Sequence, residues 1–590
     1  MEMFHDSRSL DCRSPIGPLT TGQSVRLRLY VRGGASQVTL RLWNGGEELV
    51  PMQNMGLGMY EATVKVPETP CLLWYDFRLE DLRGHRLYYG NARDRLGGVG
   101  AVYQDPPPSF QITVYDPAFS PPDYLRDGIM YQIFPDRFHR SKRPVSQRKD
   151  LYLHENWEDI PVVSQDPRSG DHIATDFFGG DLDGIRQKLP YLKDLGITIV
   201  YLNPIFKARS NHRYDTGDYH QIDPLLGDEE ALAKLCQAAE ELGMRIMLDG
   251  VFSHTGEDSI YFNRYGLYDG LGASQSMDSP YYPWYQFSDY PDKYACWWGI
   301  HTLPEVDKNN ASYRAFIMGP DGVARRWIRA GVSGWRLDVA DELPMTFLKD
   351  LRHAVKAESA DAAILGEVWE DASNKVAYGE MRSYVLGDTL DSVMNYPLRD
   401  ALIRFFTHEI PAAQFVRIVR SLQENYPIPF LYATMNLIGS HDRARILNRL
   451  VKQDYREMPL IERGKQALPK ELRELAIQRL KKVMQVVTAM PGMPSLYYGD
   501  EAGLEGAADP FCRGTFPWGH EDPRTMAIFK DAFRLRHSRP MLRRGHFDIA
   551  FEGEDTLIIH RDAIGGLDVF GEPLSDKPYT LRISRDKIIL

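Results

Sequence analysis

Two carboxylates close two short apolar runs, Asp338 in GWRLDVA (334–340) and Glu367 in AILGEVW (363–369), and a third, Asp442, ends MNLIGSHD (435–442). Acids at the ends of buried strands, with Arg336, His254 and His441 placed alike, are what cleavage of a glycosidic bond requires. One carboxylate attacks or stabilises positive charge, one carries a proton, and donors grip the sugar hydroxyls. Alternation along a strand puts Arg336 and Asp338 on one side, with Trp335, Leu337 and Val339 on the other. A strand buried on both faces should be apolar throughout. Two opposite charges two residues apart therefore read as a structural ion pair or as working groups. In the second case the guanidinium holds Asp338 ionised, and an ionised, oriented carboxylate is a nucleophile. Glu367 lies between Gly366 and Val368, beside Trp369. Apolar surroundings should raise its pKa, which suits a group that protonates a leaving oxygen and later deprotonates water. The plainer reading is a capping or salt-bridged glutamate. His254 in DGVFSH and His441 fall just past strand ends, where a single histidine is usually a satisfied structural residue.

The elements that must position these groups are legible. From residue 126 onward, strand, loop and helix alternate. Eight short buried-strand candidates are IMYQIFP, ITIVYLNP, RIMLDGV, GWRLDVA, AILGEVW, DSVMNYP, MNLIGSHD and MPSLYYGDE. Helical patterns such as DEEALAKLCQAAEELG (228–243) and KELRELAIQRLKKVMQVV (470–487) lie between them. Eight strands alternating with helices predict a (β/α)8 barrel, whose active sites lie at the C-terminal ends of the strands. A doubly wound sheet is the alternative, but it would want a Gly-rich phosphate turn after the first strand, and IFPDRFHR is not one. The long aromatic stretch 254–312 reads as a subdomain inserted after the third strand. Its run YYPWYQF (281–287), with Trp297 and Trp298, offers candidate platforms for sugar rings.

Residues 1–118 read as an N-terminal β-sandwich, from SVRLRLYV, QVTLRLW, YEATVKV, LLWYDFRLE and FQITVYD. The barrel occupies 119–538. The tail, 539–590, reads as a short β unit built from FDIAF, TLIIHR, LDVFG and YTLRISR.

Composition narrows the field. In 590 residues, apolar content is 43% and charged content 26%, ordinary for a globular chain of several domains. The net charge of −11 argues against nucleic-acid and anionic-membrane partners, which reward clustered Lys and Arg. Five widely spaced cysteines without a CxxC motif suggest reduced thiols rather than disulfides or zinc. No signal-peptide pattern opens the chain and no apolar run is long enough to span a membrane, so a cytoplasmic location is expected.

The ordered set YQIFPDRF (131–138), FFGGDLDGI (177–185), LNPIF (202–206), SNHRYDTGDYHQIDP (210–224), DGVFSH (249–254), GWRLDVADE (334–342), GEVWED (366–371), GSHD (439–442) and GMPSLYYGDEAGLEG (492–506) resembles the alpha-amylase superfamily, glycoside hydrolase family 13. Within it the chain is similar to the neopullulanase, cyclomaltodextrinase and maltogenic amylase group. The resemblance, from about 10 to 540, implies roles. Asp338 matches the nucleophile, Glu367 the general acid/base, and Asp442 the third acid. Arg336, His254 and His441 match the hydrogen-bonding shell of the cleaved glucose, and Asp249 a supporting acid. Tyr214, as a stacking platform, and Asp215 match positions near the same subsite. Asp341–Glu342 stand where the neopullulanase group has an Asn-Glu-like pair, and Trp369 is carried over as substrate-binding. Family chemistry is retaining, with the two carboxyls about 5–5.5 Å apart. Expected substrates are maltodextrins, cyclodextrins or pullulan, and the N-terminal domain, starch-binding-like in relatives, is expected to mediate a homodimer. Three departures stand out. Ser253 replaces a usual Asn, which should act through His254. The C-terminal unit is shortened. The segment HRSKRPVSQ lacks the acids of a calcium loop, and Ca²⁺ wants roughly six to eight oxygen ligands. Gly180 and Asp181 survive from that loop, so calcium is an option the residues support poorly; no cofactor or metal is required. Alternatives to hydrolysis are a 4-α-glucanotransferase or branching-type activity on the same scaffold, and a barrel that only binds glycans.

Overall fold

The computed structural model describes residues 2–142, 151–163 and 173–586. Eight parallel strands form the central barrel: β1 (Met130–Ile133), β2 (Ile199–Leu202), β3 (Arg245–Gly250), β4 (Gly334–Leu337), β5 (Ala363–Gly366), β6 (Ser392–Val393), β7 (Met435–Leu437) and β8 (Met493–Tyr497). Their order around the sheet is β6-β5-β4-β3-β2-β1-β8-β7. A single parallel bridge, Met394 to Met435, joins the two ends. All eight expected strands are present. The helices between them begin where the sequence supplies caps: Asp181 accepts from Gly184 N ahead of Leu182–Leu195, and Asp228 from Ala231 N ahead of Glu229–Glu241.

Strand alternation sorts the barrel into two cores. Met130, Ile199, Tyr201, Met247, Ala363, Leu365, Met394, Met435, Leu437 and Met493 fill the inside. Tyr131, Val200, Ile246, Leu248, Trp335, Leu337 and Ile364 pack outward against the helices. The inner set is rich in methionine, whose unbranched chain fills an irregular barrel lumen. Continuing the same two-residue period toward the C-terminal ends puts Gln132, Asn203, Asp249, Arg336, Asp338 and Glu367 on the inward side. Backbone bonds carry the ladder past the assigned strands: Asp338 N donates to Gly250 O at 3.1 Å and Glu367 N to Leu337 O at 3.0 Å.

The N-terminal unit is a sandwich of a five-stranded and a seven-stranded sheet. Its core holds Val25, Leu27, Leu29, Leu40, Tyr75, Phe77 and Ile112. At the other end, His546–Glu552, Thr556–Asp562 and Tyr579–Ser584 form a three-stranded antiparallel sheet. The expected strand LDVFG is instead a pair of turns. Gly565, Gly566 and Gly571 take positive φ, and Asp568 accepts from the amides of Phe570 and Glu572. One barrel helix, Ala412–Asn425, holds both β units. Glu424 pairs with Arg8 at 2.7 Å on the sandwich side, and Arg420 donates to Ile549 O at 2.9 Å on the other.

The inserted stretch is short on regular structure and packs through aromatic rings. Trp284 and Tyr285 are buried among Tyr261, Phe262 and Tyr313. Within the run YYPWYQF, Trp284 and Tyr285 thus belong to that subdomain's interior, while Tyr281, Tyr282 and Phe287 are half-buried; with no long helix or sheet there, stacked rings supply the core. Trp298 does stand out, 71% exposed and stacked on Trp297 at 4.6 Å.

Candidate active site

Arg336 is the hub. It is fully buried, and its Nη1 lies 2.8 and 3.0 Å from the two oxygens of Asp249 and 3.0 Å from Asp338 Oδ1. Its Nη2 lies 2.7 Å from Glu367 Oε2. Register explains the arrangement: Arg336 pairs with Asp249 on β3 and with Leu365 on β5, two residues short of Glu367. One cation is thus divided among three carboxylates. Burial pushes the Asp338 carboxyl well up, Arg336 pulls it back, and Glu367, Asp249 and Asp442 push it further. Arg336 thus favours the charged form of Asp338, as expected, against burial and the neighbouring acids, and its charge is shared among the three. Burial also raises Glu367, as expected, with Arg336 opposing and Asp442 adding.

Glu367 is gripped on both oxygens. Val339 N donates to Oε2 at 3.0 Å, and Trp369 Nε1 to Oε1 at 3.2 Å. Val339 has φ 34° and ψ 73°, a left-handed conformation that is costly for a β-branched residue. It turns the chain directly after Asp338 so that its amide meets Glu367. Trp369 lies parallel to Tyr396 at 4.7 Å, with the Arg443 guanidinium 4.0 Å from its ring centre. The stack orients it toward Glu367.

Asp442 is one-third exposed, with Oδ2 3.2 Å from His441 Nε2 and Oδ1 3.4 Å from Arg513 Nη2. Arg513 also donates from Nε to His441 O at 3.0 Å. Burial, with Arg513 and Arg336 nearby, drives His441 well below its usual range, so it is neutral. Tyr214 stacks parallel to His441 at 5.2 Å, and its hydroxyl reaches both His441 Nε2 and Asp249.

The remaining expected residues fall further out. His254 is pushed down to about 4, chiefly by burial. Its Nε2 donates to Tyr214 O at 3.0 Å, so Nδ1 is left to accept from Ser253 Oγ, also at 3.0 Å. The Ser253 departure thus acts through His254, whose ring buttresses the Tyr214 loop. Asp215 accepts from Ser210 N at 3.1 Å and lines a separate cavity of about 290 Å³ with Arg209, His212 and Asp258. Glu342 Oε1 accepts from Trp298 Nε1 at 3.1 Å and from the Tyr378 hydroxyl. Both aromatics are exposed with positive φ, so Glu342 clamps two exposed rings together. Asp181, carried over from the calcium loop, has Oδ1 on Gly184 N and Oδ2 on Ser141 N. It serves as a helix cap with both oxygens engaged, which does not fit a calcium ligand; residues 143–150 of that loop lie outside the described residues.

Sequence reasoning missed Arg513, Arg443, Val339, Tyr201, Gln132 and Asn203. Gln132 and Asn203 sit inside the quoted motifs YQIFPDRF and LNPIF, and strand alternation could have found them. Nothing local marks Arg513, whose chain returns to Asp442 only through the fold.

A parallel eight-stranded barrel with acids converging past the C-terminal ends of β4, β5 and β7 is the architecture of a barrel glycosidase. The sequence model described as the alpha amylase catalytic domain matches residues 132–531, and the chain belongs to that family. It is 37% identical over 630 residues to an amylopullulanase of Thermoanaerobacter thermohydrosulfuricus, covering 98% of this chain and 41% of that protein. It is 35% identical to a cyclomaltodextrinase of Geobacillus thermopakistaniensis, covering 75% of this chain and 67% of the relative. Among solved structures, the cyclic alpha-maltosyl-(1→6)-maltose hydrolase of Arthrobacter globiformis superposes with a TM-score of 0.63 at 31% identity, covering 75% of this chain and 90% of that one. The chain spans less than half the length of the amylopullulanases it matches.

Proposed function

We propose that the protein is a retaining α-glucan hydrolase that cleaves α-1,4 glucosidic bonds through a covalent glycosyl intermediate on Asp338. The observation that carries this reading is the convergence of Asp338 and Glu367 on the two amino groups of one buried guanidinium at the barrel's mouth. Asp338 attacks the anomeric carbon while the bond to the leaving oxygen breaks, and Glu367 gives that oxygen its proton. Glu367 then takes a proton from water, whose oxygen attacks the same carbon and frees Asp338. Asp442 and His441 hold the hydroxyls of the cleaved glucose. A glucan hydroxyl in place of water gives transglycosylation from the same intermediate.

The names of relatives support maltodextrin, cyclodextrin and pullulan as substrates, and the Arthrobacter hydrolase's name extends the reading to α-1,6-linked glucans. No metal or cofactor enters this chemistry. All five cysteines are free, which supports a reducing compartment such as the cytoplasm. No helix among the described residues is long and apolar enough to cross a membrane. Homodimerisation through the N-terminal sandwich belongs to the same reading, and sedimentation of the full chain and of a chain lacking residues 1–118 tests it.

The deciding experiment measures sugar release from maltodextrin, γ-cyclodextrin and pullulan. Asp338→Asn is expected to lower turnover by about 10⁴-fold or more. Unchanged turnover would remove Asp338 from its role. Proton NMR of early product should show the α-anomer first; the β-anomer would overturn retention.

A further inference from the structure

Six buried groups inside the barrel, none of them exposed by more than a few per cent except Tyr214, settle where one proton sits. We propose that Gln132 and Asn203 are positioning residues that set the tautomer of His441, holding its ring neutral with the hydrogen on Nε2, donated to the Tyr214 hydroxyl oxygen beside Asp442. The argument starts at Asp249. Its oxygens receive both Arg336 contacts and the Tyr201 hydroxyl at 2.6 Å, so they act as acceptors only. The Tyr214 hydroxyl, 2.8 Å from Asp249 Oδ2, must therefore point its single hydrogen there. Its oxygen is left to accept, and two groups address it: Asn203 Nδ2 at 2.9 Å and His441 Nε2 at 2.6 Å. A bare Nε2 would set lone pair against lone pair, so Nε2 carries the hydrogen.

The other ring nitrogen gives the same answer. Because Asn203 turns its amino group to Tyr214, its Oδ1 faces Gln132 and receives Gln132 Nε2 at 3.1 Å. That orients the Gln132 amide, whose second N–H reaches His441 Nδ1 at 2.8 Å. Nδ1 accepts and carries no hydrogen. The arrangement leaves Gln132 Oε1 buried without a protein partner. A buried amide oxygen tolerates that only when its surroundings over-determine the group. Turning the amide would set Oε1 against Asn203 Oδ1, and turning both would present Asn203 Oδ1 to a hydroxyl whose hydrogen is already committed. Gln132 and Asn203 touch no substrate; they act through His441. The ring's neutrality also avoids a third cation beside Arg336 and Arg513, in line with the direction of its pKa.

The consequence for catalysis rests on the hydrolase reading, but the proton itself does not. Neutron diffraction from deuterium-exchanged crystals of the whole chain should show a deuteron on His441 Nε2 and none on Nδ1. A deuteron on Nδ1 overturns the proposal. Gln132→Glu replaces the donor with an acceptor and should bring a deuteron to Nδ1. With maltohexaose, kcat should fall about 10- to 100-fold while KM moves less than threefold, at a melting temperature near wild type. Gln132→Met, which removes the donor without adding an acceptor, should fall less. Nδ1 remaining bare in Gln132→Glu, or kcat unchanged in both variants, sinks the positioning role. Should Gln132→Glu not fold, Gln132→Met carries the test alone: kcat should fall with KM little changed, and an unchanged kcat sinks the positioning role. A wild-type chain that cleaves no glucan defeats the hydrolase reading and leaves the neutron result standing.

Discussion

At the scale of single residues, the site is a problem of dividing charge. Three carboxylates press on one guanidinium, and the donors around each decide its share. Asp249 takes two tyrosine hydroxyls and both Arg336 contacts, while Glu367 takes an amide and an indole N–H. The indole bond lowers the Glu367 pKa, against the rise from burial. Trp369→Phe keeps a ring on Tyr396 but deletes that bond. The alkaline limb of the kcat profile, set by loss of the acid's proton, is expected to move up by less than about one pH unit, because a hydrogen bond to the charged form has gone. A profile that stays in place, or moves down, would show that the indole does not tune Glu367.

At the scale of elements, the barrel's two-residue period and its register do the positioning. Inward residues of β1 to β5 line the site, and the chain leaving β4 turns through a strained Val339 to bring its amide to Glu367. Val339→Gly relieves the strain but loosens the turn, and the two effects on stability, each about 1 kcal/mol, offset each other. The expected outcome is a melting temperature within a few degrees of wild type and a kcat lowered about tenfold. Wild-type kcat in that variant would mean the amide's position is not held by the turn. The helix Ala412–Asn425 does comparable work at the periphery, since one surface holds the sandwich and another the C-terminal sheet.

For the whole molecule, burial of acids makes stability depend on pH. Glu501 lies under the β8 end, accepts from Tyr131 and Tyr191, and is pushed up to about 7 by burial, with Asp500 adding. Asp500, held by Arg445, is pushed up to about 6. A carboxyl raised on folding favours the folded state most below its ordinary value of about 4.3, and that advantage is lost as pH rises toward 7. Unfolding free energy should therefore fall between about pH 4 and 7, on the order of 1.4 kcal/mol per pH unit for each such group. Glu501→Gln should match wild type in urea at pH 4 and exceed it at pH 8. A wild-type curve flat over that range would contradict the burial argument.

Strand count, strand order of chemistry-bearing residues and the three acids were readable from the chain, because β-alternation and the spacing of apolar runs are local properties. Arg336 beside Asp338 could be inferred from two positions on one strand. The role of that arginine could not, since its division among Asp249, Asp338 and Glu367 depends on the register of three strands. Arg513 over Asp442, the Arg443–Trp369–Tyr396 stack, and Asp215 turning into a separate cavity all arise from loops that meet only after the barrel closes. The aromatic run 281–287 looked like a binding surface, yet Trp284 and Tyr285 within it are core, because composition reports which rings are present and not which side the chain folds over. Sequence alone determined the kind of chemistry available here; the tertiary structure decided which group holds which proton, because hydrogen bonds between residues far apart in the chain exist only once it has folded.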